Sequence, residues 1–322
     1  MESVSFAIGF LRLKNRKCCR KVVAKTPPNK AGSRPPVARA GMRSNPCKRR
    51  GLRWNHPLHS AANANRWCAL ANHHWIEPMT EEAWQIPERY SLRKTLFLHL
   101  APGVPFTLAF LLAAWRVNRA GGSTYLALIL CIPLILVPCE VGVLIVERRR
   151  ICWNWRSIIA PRGSRRVSIL DILLSVAAIY AIAEAAGALA IPSRTAILRA
   201  MAHWLPPWAI FDGRLEGISP SALWLGLFLS GLIAPIVEEL YFRAFLMPRI
   251  PVSGRWAPAV NAALHSIYHF YTPWNYLMFF LAFLPLAYYV RLRGNLLPTI
   301  ITHSLFNSVG ILVVLAGRVL PS

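Results

Sequence analysis

Three segments near the end of this 322-residue chain set paired polar groups inside otherwise apolar sequence: Glu238-Glu239-x-x-x-Arg243, His265-x-x-x-His269 and His303-x-x-x-Asn307. A carboxylate can take a proton from water, an imidazole can hold or relay one, and an amide can donate to a developing oxyanion. An ionised side chain at the centre of a bilayer costs roughly 2.5–3.5 kcal/mol on insertion scales, so such groups point to function. In each segment two of them stand four residues apart, one turn of helix, and share a face. The pattern predicts a cluster assembled between transmembrane helices.

Adjacent helical residues point about 100° apart, so Glu238 and Glu239 are expected to address different targets. Glu239 and Arg243 have the favourable order for an ion pair, acid first at i, i+4. Glu238 is left to face the bundle interior, where a general base would sit. Pro235 removes a backbone donor and can bend the helix there, opening room for water. His265 and His269 could share a metal, but the H-E-x-x-H pattern is absent and no carboxylate lies near them in sequence. His303 and Asn307 could serve an oxyanion, or could simply tie helices together. A locking salt bridge is the plainer reading of the Glu-Glu-Arg set taken alone.

The elements that must position these groups are helices. The chain is 55% hydrophobic and carries a net charge of +24, with mean hydropathy +0.39. That combination excludes an ordinary soluble domain. Sixteen of the 37 Lys and Arg fall within residues 1–70, against one acid, Glu2. Residues 1–78 therefore read as a basic, Pro-interrupted, disordered extension, and Met79 could be the natural start. It is expected to lie at the membrane face, and no nucleic-acid partner is expected. Seven cysteines without a C-x-x-C pair argue against a disulfide framework or a Cys-based zinc site.

Apolar runs of membrane-spanning length occur near 95–115, 123–146, 168–191, 220–247, 256–272, 274–292 and 295–316. The expectation is an all-α, polytopic integral membrane protein with about seven or eight transmembrane helices. Residues 95–211 would form the N-terminal helices and 220–316 the core that carries the polar cluster. A weaker piece, 197–211, is broken by Pro206-Pro207 and reads as interfacial or re-entrant. The arginines of 147–166 predict a cytoplasmic loop and a cytoplasmic N-terminus, which also puts Arg249, Arg255, Arg291 and Arg293 inside. Trp204, Trp208, Trp256 and Trp274 flank spans as interfacial aromatics would. On these spans Glu238 and His269 differ in depth by on the order of 10 Å at 1.5 Å per residue, unless a tilt or a break at Pro235 or Pro273 intervenes.

The run Glu238-Glu-Leu-Tyr-Phe-Arg243, the histidine His269 before Phe-Tyr-Thr-Pro-Trp, and the closing segment Arg293-Gly-Asn-Leu-Leu-Pro-Thr-Ile-Ile-Thr-His303-Ser-Leu-Phe-Asn307 occur in that order. Together they resemble the CAAX-protease and bacteriocin-processing (CPBP, or Abi) intramembrane proteases, over about residues 220–312. The resemblance implies an α-helical membrane endopeptidase acting on a membrane-associated or lipidated peptide. It implies that Glu238 and His269 activate a water, that His303 and Asn307 stabilise the oxyanion, and that Glu239 and Arg243 support them. The second motif of that family usually has Phe where this chain has His265, which is expected to fill space or hydrogen-bond rather than ligate a metal or shuttle protons. A divalent metal such as zinc is not required, but Glu238, His269 and His303 could hold one. The same buried groups could instead serve a proton- or ion-coupled transporter, for which no inverted repeat is visible. A non-catalytic membrane scaffold or immunity protein of the same fold is the third reading.

Overall fold

The computed structural model describes residues 89–151, 168–215, 217–252 and 254–319, and among them no strand occurs. The basic extension 1–78, the Met79 start and most of the arginine loop 147–166 lie outside the described residues. Among the described residues six helices are long and apolar enough to cross a membrane: α1 (Leu92–Arg119), α2 (Thr124–Glu147), α3 (Ile169–Ala188), α5 (Pro220–Arg249), α7 (Pro273–Arg293) and α8 (Leu297–Arg318). Between them lie α4 (Ile191–Ala202) and α6 (Ala257–Tyr268). The all-α membrane architecture is thus as the apolar runs imply.

Local sequence sets the ends of these helices. Ser91, Ser123, Ser168 and Ser219 stand in extended backbone before α1, α2, α3 and α5, and each accepts a backbone N–H of the first turn. At α3, Asp171 answers Ser168 in a capping box. Gly294, at φ 62°, closes α7 in the left-handed conformation.

The apolar run 256–272 does not form a helix of spanning length. Its helix, α6, has only twelve residues, about 18 Å at 1.5 Å per residue, against a hydrocarbon core of about 30 Å. The chain turns at His269 and runs back as α7. Ser266 donates to the Tyr276 carbonyl at one end of the pair, and Tyr288 to the Arg255 carbonyl, 3.0 Å away, at the other. The α6–α7 hairpin therefore ends inside the bundle, and Trp274, at its turn, is buried rather than interfacial. Trp204 and Trp256 are exposed.

Arginines stand at both ends of the bundle, with Arg249 and Arg291 at one of them. Arg291 reaches the Gly254 carbonyl, Arg249 caps the Phe245 carbonyl, and the Arg249 carbonyl accepts from Tyr90 N–H. Tyr90 and Lys94 both bond Glu147 of α2, at 2.8 and 3.1 Å. The opposite end holds Arg318 on the Ile218 carbonyl and Arg194 on Asn275. Gly103 lets α1 approach α6 closely, because a β-carbon there would strike the Tyr268 carbonyl. The helix of 197–211 begins earlier than its apolar run, as α4, and buries none of its residues.

Candidate active site

Helix α5 is not uniform. Its backbone widens into π-helical turns at Leu229–Ile233 and again at Glu239–Leu246, with Ala234–Glu238 between them. Pro235 has no N–H to give to the turn before it, which accounts for the first widening. The chain is thus disturbed on both sides of Glu238.

Glu238 and His269 meet despite the depth difference expected from their apolar runs. Ligand atoms of Glu238, His265 and His269 all lie within 4.8 Å of one another, and all three residues are buried. His303 of α8 reaches the same place, its Nε2 at 3.5 Å from Glu238 Oε2. Its Nδ1 is 3.0 Å from Glu239 Oε1. Both adjacent carboxylates therefore do meet one target. They diverge along the helix, and an imidazole has nitrogens on opposite edges, so one ring spans the gap between them.

The partners fix the ring protons. A carboxylate can only accept, so His303 Nδ1–H donates to Glu239. A backbone carbonyl can only accept, so His269 Nδ1–H donates to the His265 carbonyl at 2.9 Å and its Nε2 keeps a lone pair. A guanidinium can only donate. Arg243 Nη1 therefore gives a proton to His265 Nδ1, 2.5 Å away, and the His265 proton sits on Nε2, 3.6 Å from Glu238 Oε2.

Arg243 Nη1 is also 3.3 Å from Glu239 Oε1, and both side chains are fully buried. Among the described residues no Lys or Arg stands within ion-pair distance of Glu238. His265 is stacked between two rings, Phe242 at 3.9 Å and Phe283 at 4.2 Å between centroids. Arg243 lies over the same Phe283 ring, 4.7 Å from its centroid. This side of the cluster is closed by aromatic packing.

The other side is open. A cavity of about 630 Å³ is lined by Glu238, His269, His303 and Asn307, with Phe106 and Leu136 among its apolar walls. Asn307 donates one amide hydrogen to the Ser230 carbonyl at 3.0 Å and retains the second. His265 does not line this cavity. Two residues without a part in the motifs join the cluster's surroundings. Glu140 of α2 is fully buried and accepts from Tyr268 at 2.9 Å. Half-buried Arg194 of α4 lines the cavity far from the motifs in sequence. Its signal in the sequence is a cation that, with Arg199, interrupts the apolar residues Ile191, Ile197 and Leu198.

The donor set bears on a metal. His265 fits poorly as a ligand, because Arg243 occupies Nδ1 and leaves the proton on the nitrogen that would have to bind. His269 and His303 have better-prepared nitrogens, with Nδ1–H held by a carbonyl or a carboxylate as in metal-bound histidines, but the set whose ligand atoms all lie within 4.8 Å of one another is Glu238, His265 and His269.

Residues 220–309 match the family model described as type II CAAX prenyl endopeptidase Rce1-like. No curated protein and no solved structure matches the chain. The matched stretch runs from the start of α5 to just past Asn307 in α8, and contains every residue of the cluster on α5, α6 and α8. Over that stretch, under a third of the chain, the sequence is similar to the Rce1-like type II CAAX prenyl endopeptidases.

Proposed function

We propose that this protein is an intramembrane endopeptidase, and that it hydrolyses a peptide bond in a membrane-associated, lipid-modified substrate with a water activated by Glu238 and His269. The observation that carries this reading is the contrast between the two carboxylates. Glu239 is tied to Arg243 and His303, whereas among the described residues no Lys or Arg lies within ion-pair distance of Glu238, which faces a cavity of about 630 Å³.

A water between Glu238 and His269 would donate one hydrogen to the carboxylate and one to the lone pair on His269 Nε2. Its own lone pairs then point away from both, toward an incoming carbonyl carbon. Glu238 takes the proton as the oxygen attacks, and the carbonyl oxygen becomes an oxyanion. The free amide hydrogen of Asn307 can receive it. For His303 Nε2 to donate as well, that ring must carry both protons, and the carboxylates at its two edges are the counter-charges it then needs. Glu238 returns its proton to the departing amine as the carbon–nitrogen bond breaks. A divalent ion, where one is used, would be held by Glu238, His269 and His303 and would act as a Lewis acid on the water.

The test compares the membrane proteome of cells carrying the wild type with that of cells carrying Glu238→Gln. Uncleaved precursors of membrane-associated proteins should accumulate in the variant, with the variant protein itself present at wild-type level. Identical precursor profiles would remove the assignment.

A further inference from the structure

Arg194 brings a cation into the cavity that contains Glu238 and His269. Its Nε–H donates to Asn275 Oδ1 at 2.8 Å and its Nη2 to the Asp212 carbonyl at 2.6 Å. Both acceptors are neutral. The Asp212 carboxylate is engaged elsewhere, with Arg214 Nε at 2.9 Å and the Arg214 backbone N–H at 3.1 Å. Among the described residues no carboxylate lies within ion-pair distance of Arg194. Two bonds fix the plane of the guanidinium, while Nη1 keeps both hydrogens and Nη2 keeps one. That is a prepared edge for a bidentate anion.

Its anchors tie it to the chemistry. Asn275 ends the turn that begins at His269, folded by the bonds Thr272 N–H to the His269 carbonyl and Asn275 N–H to the Thr272 carbonyl, both 2.9 Å. Six residues reach at most roughly 20 Å when extended, and this turn is folded. An extended tail of three residues covers about 10 Å. Each of those i→i+3 bonds closes a turn whose ends lie within about 7 Å, so Asn275, which anchors Arg194, lies within about 14 Å of His269, the scale of a short peptide tail. Asn275 and Asp212 line the same cavity as Glu238, so the charge is presented there.

On the protease reading above, we propose that Arg194 receives the C-terminal carboxylate of the substrate and so sets which peptide bond lies against Glu238 and His269. It is a specificity-determining residue: it measures the tail by its end. A substrate with a longer tail, or one whose end is blocked, loses that contact.

The experiment uses a lipidated-cysteine peptide with three residues after the cysteine, made once with a free carboxylate and once as the amide. Binding is measured to the full-length Glu238→Gln protein in phosphatidylcholine nanodiscs, with and without Arg194→Gln. The acid should bind roughly 10- to 100-fold more tightly than the amide, the worth of a charge-assisted hydrogen bond. Arg194→Gln should erase that ratio and leave amide binding as it was. Equal binding of acid and amide, no binding of either, or a ratio that survives Arg194→Gln overturns the inference, as does an equal weakening of both peptides. An effect of Arg194→Gln that appears only with added phosphatidylglycerol assigns the cation to lipid phosphates and overturns it too. Cleavage by the wild type is scored separately: hydrolysis of both peptides without an acid–amide difference removes Arg194 and keeps the protease reading, and the reverse result does the opposite.

Discussion

The polar cluster has two sides that are built on opposite principles. On the closed side, Arg243, Glu239 and His265 are fully buried and sealed by Phe242 and Phe283. On the open side, Glu238, His269, His303 and Asn307 share a cavity of about 630 Å³. Charge on the closed side is matched by charge, as burial demands. Among the described residues, the partners within ion-pair distance of the carboxylate on the open side are imidazoles, which can give up or accept a proton. Neighbours in sequence, Glu238 and Glu239 divide between the two sides. On the function proposed above, the motif is a reactive group with its own scaffold attached.

That division can be broken by exchange of the groups. Glu238→Gln should lower peptide turnover on the order of 10³-fold, the scale of a lost general base, with the unfolding midpoint unchanged. A variant that still cleaves at the wild-type rate ends the distinction. Arg243→Ala should act on stability instead. It strands the Glu239 carboxylate in a fully buried site, at about 3–5 kcal/mol, and thermal unfolding in detergent reads the loss. Adding Glu239→Gln to that variant should restore part of it; no recovery would mean that the ion pair is not what Arg243 supports.

Asn307→Leu removes one oxyanion donor and should cost about 10²-fold in kcat with little change in KM. A loss carried wholly by KM would make Asn307 a binding group. The smallest effect is expected at His265→Phe, which keeps the aromatic stack and should retain activity within about tenfold. The Arg243 hydrogen left without its acceptor costs about 1–3 kcal/mol, so a lower unfolding midpoint is the visible result. Complete inactivity there would move His265 from the closed side to the open one.

Much of this was legible as buried polarity with helical spacing. The pairs Glu239–Arg243 and His265–His269 lie on single helices, where a period of 3.6 residues decides what shares a face. The length of α6 was not legible. Hydropathy counts apolar residues, and the run 256–272 has enough for a span; what ends the helix at Tyr268 is the turn at His269 and its packing against α7. The meeting of both glutamates on His303 joins α5 to α8 across 64 residues, a tertiary fact that no local spacing contains. Arg194 was missed for the same reason, since its partners are Asn275 and Asp212.

The His303 bridge has a consequence for biogenesis. During synthesis α5 enters the membrane well before α8 is made, so for that interval Glu239 lacks the imidazole that later holds it. The site is incomplete in every nascent chain and becomes whole only when the late helix arrives. The order of translation itself thus delays the meeting of Glu238 and Glu239 on one imidazole until the late helix is in place.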